Sequence, residues 1–197
     1  MNKTLSSLIM LMLLFAWWSS LTIGLSSDEY FHHINGLVRY KFLISFGEIQ
    51  KFEFRNNEFY PGLYDTISYA LGQIVFLINK KFYANNIDVV MHFVNISFST
   101  LSILGLYLLT QKLFNKKIAL ITTLLTLLNP FFFGHMGMNS KDIIVFFAFI
   151  WSCYYFYLYC TEDNNLSKNL IFFSLFFGFG CGVRLTFVVV IFPVIIA

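Results

Sequence analysis

Charge is what this chain has least of. Only 12% of its 197 residues are Asp, Glu, Lys or Arg, about half the share found in a typical soluble domain. With 58% hydrophobic and 20% aromatic residues, too few polar groups remain to solvate a globular surface, and a soluble domain is excluded. The net charge of +3 is small and scattered. No basic cluster interleaves with stacking aromatics in a polar setting, which sets nucleic-acid partners aside. Cysteine is equally sparse: Cys153, Cys160 and Cys181 lie in apolar stretches, are odd in number and show no metal-ligand spacing. They read as buried, inert thiols rather than a disulfide framework or a zinc centre.

What is present is apolar sequence in long blocks. Leu5 to Leu25, Val89 to Leu109, Ile118 to Met138, Ile143 to Cys160 and Leu170 to Ala197 match the roughly 20 helical residues that cross a hydrocarbon core of about 30 Å. The expected fold class is an all-α polytopic membrane protein, one transmembrane domain over residues 1–197 with residues 26–86 as a long polar loop. The first block follows Lys3 like a signal peptide. It is long for one, however, and no A-x-A-like site separates it from Asp28, which favours an uncleaved anchor. The last block runs to Phe192-Pro193-Val194-Ile195-Ile196-Ala197 without a polar cap, the pattern expected of the N-terminal part of a longer protein.

Lys112, Lys116 and Lys117 make the connection after the second block the most basic short loop, which places it on the cytoplasmic side. By parity the N-terminus is cytoplasmic and residues 26–86 are external. The 118–138 helix then runs outward, the 143–160 helix returns, and Glu162 to Lys168 form a cytoplasmic turn. The next helix climbs outward to a break near Gly178-Phe179-Gly180-Cys181-Gly182 and Arg184.

This count requires the apolar run from Tyr60 to Asn79 not to span. Pro61 suits a helix start. At about 100° per residue Leu63, Tyr64, Ile67, Leu71, Ile74 and Ile78 share one side, with Asp65, Ser68 and Gly72 opposite, as in an amphipathic helix lying on the membrane. Between Asp28 and Leu43, the residues Asp28, His32, Asn35 and Arg39 fall within roughly a 60° arc, opposite Tyr30, Phe31, Ile34, Leu37 and Val38. Periodicity alone leaves two readings of that polar stripe: the wall of a site, or a merely hydrated face. Under the expected topology Asp28 and Glu29, Asn139 to Asp142, and Arg184 gather at one external boundary, where ionisable groups are costly and tend to mark substrate pathways.

These residues resemble a known group. Asp28-Glu29 directly after the first transmembrane helix, with surface helices behind it, is similar to the acidic motif in the first external loop of GT-C glycosyltransferases. The protein O-mannosyltransferase and aminoarabinose-transferase type is the nearest in motif order. Tyr60-Pro61-Gly62-Leu63-Tyr64 resembles the start of its juxtamembrane helix, and Gln111-Lys112-Leu113-Phe114-Asn115-Lys116-Lys117 its basic cytoplasmic turn. Asn129-Pro130-Phe131, Asn139-Ser140-Lys141-Asp142 and Gly182-Val183-Arg184-Leu185-Thr186 follow in the group's order. One departure stands out: Glu58-Phe59-Tyr60-Pro61 occupies the place of the aminoarabinose group's Glu-Lys-Pro element, so a phosphate-binding lysine does not carry over there.

The resemblance implies a GT-C-like helix bundle with amphipathic juxtamembrane helices in its first external loop. It implies an inverting glycosyltransferase that moves a sugar from a polyprenyl-phosphate donor to a glycan, lipid or protein acceptor on the non-cytoplasmic side. Residues 1–197 alone are expected to be inactive. Asp28 or Glu29 would serve as general base. Arg184, backed by Arg39 and Lys141, would stabilise the leaving phosphate. Asp142 would orient the acceptor or, with His32, help hold a divalent cation such as Mg²⁺ or Mn²⁺. The adjacent His32 and His33 read first as polar-face residues, and His135 as a hydrogen-bonded interior residue rather than a ligand. No Gly-rich phosphate loop or nucleotide-binding βαβ pattern is present, which disfavours a nucleotide-sugar donor. The expected location is multi-pass in a bacterial inner membrane, or in the endoplasmic reticulum of a eukaryote, among membrane lipids. Two readings compete: a transporter or lipid-carrier fragment whose pathway these charges line, although no internal repeat supports it, and an assembly subunit without chemistry.

Overall fold

The computed structural model describes residues 2–48, 61–162 and 165–196. Their elements, in chain order, are α1 (Asn2–Thr22), α2 (Ser27–Ile44), α3 (Leu63–Ile78), α4 (Lys80–Asn85), α5 (Ile87–Leu113), α6 (Lys116–Leu128), α7 (Pro130–His135), α8 (Asp142–Thr161), α9 (Leu166–Val183) and α10 (Phe187–Ile196). Among the described residues, Lys3–Thr22, Ile87–Leu113, Asp142–Thr161 and Leu166–Val183 are long and apolar enough to cross a membrane. The chain is an all-α integral membrane protein.

One block expected to be continuous is broken. At Asn129 the backbone leaves the helical region (φ −69, ψ 114), and its Oδ1 accepts the N–H groups of Phe131 and Phe132 at 3.0 and 3.2 Å. Pro130 takes the first position of α7, where its missing N–H costs nothing, but it cannot extend α6. The 118–138 stretch is therefore two short helices meeting at a cap. The last block breaks at Arg184, one of the residues expected to mark the break. α9 runs through all three glycines to Val183, and Arg184 takes extended backbone (φ −146, ψ 125). Two of the three serve packing instead: a Cβ on Gly180 would strike the Phe187 ring of α10, and one on Gly182 would strike Leu63 of α3. The helix expected from Tyr60 begins at Leu63, with Gly62 as its N-cap and Pro61 outside it.

Lipid offers little hydrophobic drive for helices to associate, so small residues and hydrogen bonds must carry much of the packing. α5 shows this best. His92, Asn95, Ser99 and Ser102 are all buried, and their three- and four-residue spacing forms a polar seam along one face of an apolar helix. Ser99 Oγ donates to the Met136 carbonyl at 2.7 Å, fixing the chain just after α7. Ala16 of α1 packs in one core with Ile96, Ile103, Leu127 and Met136, and Trp17 Nε1 donates to Thr100 Oγ1 at 3.0 Å. The first helix is thus a wall of the bundle. Rings fill the α8–α9 contact, where Trp151 stacks on Phe176 and Tyr155 on Phe172. Cys153 is buried, as expected of an inert thiol, but Cys160 is exposed; all three cysteines are free.

Two ion pairs mark opposite ends of the bundle. Lys112 Nζ lies 2.7 Å from Glu162 Oε1, joining the ends of α5 and α8. Arg184 Nη2 lies 2.9 Å from Asp142 Oδ1, joining the end of α9 to the start of α8. α6 and α7 carry the chain from the first end toward the second, where Gly137 meets Ser20 near the end of α1. The expected alternation of helices therefore holds in relative terms, and the loops carrying Asp142 and Arg184 share one end.

Candidate active site

α2 and α3 pack closely because Gly36 lets them: a Cβ there would collide with the Asp65 carbonyl. The contact closes over a set of polar groups. Asp65 Oδ2 lies 3.2 Å from His32 Nδ1 and accepts a hydrogen bond from Asn35 Nδ2, while Asn35 Oδ1 accepts from Arg39 Nε at 3.1 Å. His32, Asn35 and Asp65 are all buried. The middle of the polar stripe of α2, His32 and Asn35, is therefore no hydrated face; it is buried against α3, and the exposed side of α3 carries Leu71, Ile74, Leu77 and Ile78. Tyr64, expected on that apolar side, is buried and donates its hydroxyl to Asn95 Oδ1 at 2.9 Å. Burial, reinforced by the neighbouring Asp65 charge, pushes the Tyr64 phenol up, so it keeps its proton and remains a donor.

Glu29 belongs to the same closed region. One carboxylate oxygen accepts the Ser26 N–H at 2.7 Å, and the other lies 2.7 Å from His92 Nε2 of α5. Both side chains are nearly inaccessible, at 3% and 1% exposure. The small pocket among Glu29, His32, Tyr64, Asp65 and Asn95 measures about 10 Å³, space for about one water at most.

Asp28 points elsewhere. One residue earlier on the helix, it lines an open cavity of about 280 Å³ together with His32. The far wall comes from the α7–α8 connection and the end of α9: His135, Asn139, Lys141, Asp142 and Arg184. Asn139 organises this wall. Its Oδ1 accepts the N–H groups of Lys141 and Asp142 at 3.1 and 2.8 Å, and its Nδ2 donates to Asp142 Oδ2 at 3.1 Å and lies 2.7 Å from His135 Nδ1. Asp142 is thus held from two sides, by Asn139 and by the Arg184 guanidinium. Arg184 Nε is buried and has no acceptor among the described residues.

The structure thus gathers Asp28, His32, Lys141, Asp142 and Arg184 around one cavity and sets two expected site residues apart. Glu29 is sealed against His92, so the paired acids of the motif part ways. Arg39 sits against Asn35 and beneath Gly62, away from the cavity wall. His135, expected as an interior residue, is hydrogen-bonded as anticipated but half-buried at the cavity. Among the described residues no three His, Cys, Asp or Glu side chains converge as a metal site, and His32 Nδ1 is committed to Asp65. The expected His32–Asp142 cation site therefore lacks a complete protein donor set. Glu58, Phe59 and Tyr60 lie outside the described residues. His92, Asn95 and the pairing of Asp65 with His32 were not foreseeable from any motif; the seam spacing of 92, 95, 99 and 102 was the available signal.

The profile of the family described as dolichyl-phosphate-mannose-protein mannosyltransferase matches residues 69–197, well over half of the chain. The chain belongs to that family. This mannosyltransferase-family protein is accordingly a membrane glycosyltransferase by kinship. The match contains the wall with His135, Asp142 and Arg184, while Asp28, Glu29 and His32 lie upstream of it. No curated protein and no solved structure matches the chain.

Proposed function

We propose that this protein transfers a sugar from a polyprenyl-phosphate carrier to an acceptor hydroxyl on the non-cytoplasmic side of the membrane, with inversion at the anomeric carbon. The observation that carries this reading is the cavity itself, which sets the Asp28 carboxylate against Asp142 and Arg184 at the end of the bundle opposite the Lys112–Glu162 pair. The lysine-rich loop supports a cytoplasmic assignment for that opposite end.

In the proposed step the acceptor oxygen attacks the anomeric carbon as its proton passes to Asp28. The bond from that carbon to the phosphate oxygen breaks, and its electron pair leaves with the polyprenyl monophosphate. A single displacement inverts the centre. Arg184, with Lys141 on the same wall, meets the charge that grows on the phosphate. Asp142 aims the guanidinium rather than acting as base, because its two oxygens are already held by Arg184 and Asn139. No ion pair among the described residues ties up Asp28, whereas Glu29 is sealed against His92 and positions the start of α2. No step is routed through a cation.

The test is transfer of labelled mannose from polyprenyl-phosphate mannose by membranes carrying the full-length protein. Asp28→Asn should abolish it while leaving insertion unchanged. Turnover at the wild-type rate by that variant would remove Asp28 as base. Cysteine labelling that placed residues 112–117 outside the cell would remove the assigned side.

A further inference from the structure

His135 has one hydrogen-bonding polarity open to it. Asn139 Oδ1 accepts two backbone N–H groups, from Lys141 and Asp142, so its amide cannot turn over without setting an NH₂ against two donors. Nδ2 must then face His135 Nδ1, at 2.7 Å. A donor facing that nitrogen requires it to be a lone-pair acceptor. The neutral ring therefore carries its proton on Nε2, and protonating Nδ1 would break the contact. The ring is further held by Phe131, whose centroid is 4.3 Å away.

His32 on the opposite wall is wired in the reverse sense. Its Nδ1 faces the Asp65 carboxylate, an acceptor, so that nitrogen is the one that bears hydrogen. The two histidines of the cavity are thus not equivalent. His135 stands with Arg184 and Lys141 on the cationic wall, and the Nε2 N–H is the only nitrogen it has left to offer there.

We propose that His135 is a catalytic residue whose Nε2–H donates a hydrogen bond to the phosphate monoester of the polyprenyl carrier, sharing with Arg184 the charge that develops as the sugar leaves. This rests on the transferase reading above. The site would take a phosphate monoester on a lipid. A fixed neutral donor aimed at developing charge needs no reorganisation as the bond breaks.

The direct experiment is ¹⁵N-histidine NMR of the protein in phosphatidylcholine nanodiscs, with the His135 signals assigned by loss in His135→Gln. The Nε2–H tautomer is expected, together with a shift of that N–H on adding decaprenyl monophosphate and little response to equimolar inorganic phosphate. An Nδ1–H tautomer, or no shift with the lipid phosphate, overturns the proposal; an equal shift with inorganic phosphate overturns its lipid part. In transfer assays, His135→Phe should lower turnover on the order of 100-fold, the scale of losing one oxyanion donor, whereas His135→Gln, which keeps an N–H, should recover most of it. Equal losses in both variants would mark a packing role and sink the proposal. Because the NMR arm needs no turnover, an inactive full-length wild-type protein with a lipid-phosphate shift would count against the transferase reading alone.

Discussion

Asp28 and Glu29 are neighbours in sequence, yet they serve two neighbourhoods of opposite character. Glu29 enters a closed region of buried polar groups around a space of about 10 Å³, and Asp28 lines an open cavity of about 280 Å³. The roughly 100° that separates successive residues on a helix is enough to divide them. Burying a carboxylate is tolerable only with partners, and the Ser26 N–H and His92 supply them for Glu29. A group so committed is a poor proton acceptor for an incoming substrate. The closed region therefore acts as a scaffold that fixes α2 against α3 and α5, and the open one is left free for chemistry.

Substitutions on the two sides should separate cleanly. The largest effect is expected for Asp28→Asn, a loss of about 10²- to 10⁴-fold in transfer with thermal stability unchanged in detergent; a matching fall in stability would erase the distinction. Glu29→Ala should do the reverse, costing on the order of 3–5 kcal/mol because it strands His92 in a buried site. A denaturation midpoint equal to wild type would show that the pair bears no structural role. Arg184→Ala should leave the fold intact and lower kcat and kcat/KM for the lipid-phosphate donor by about 10²-fold, because the lost contact is to charge that develops in the transition state; unchanged turnover of the lipid-phosphate donor would argue against its assignment. A smaller change is expected from Gly36→Ala, which must push α2 off the Asp65 carbonyl at about 1–3 kcal/mol, readable as faster hydrogen exchange in α2 and α3. The least is expected from Lys112→Ala at the far end, where an exposed pair should leave the thermal midpoint unmoved.

How far the sequence led depends on what kind of information each feature carries. The membrane class, four of the spans, and both helices behind Asp28 follow from composition and periodicity, which are properties of one segment at a time. The broken third block was half visible: Asn129-Pro130 is a stop and a cap in any context, but an apolar run of that length masked it. The three glycines suggested a break, yet Gly180 and Gly182 proved to be contact surfaces for Phe187 and Leu63, since glycine weakens a helix locally but also admits a neighbour. The stripe of Asp28, His32, Asn35 and Arg39 was legible as a stripe, without any sign that its middle would be buried under Asp65.

By itself the sequence determined that the chain lives in a bilayer, where most of its long helices lie, and which ionisable groups it places near their ends. Burial and hydrogen-bond partnership were decided by the tertiary structure. It sent Glu29 to His92 and His32 to Asp65, and left Asp28 facing Asp142 and Arg184 across a cavity. The physical reason is that a charge is defined by what lies within a few ångströms of it, and those neighbours come from segments 33 residues away or more, whose approach no local pattern encodes.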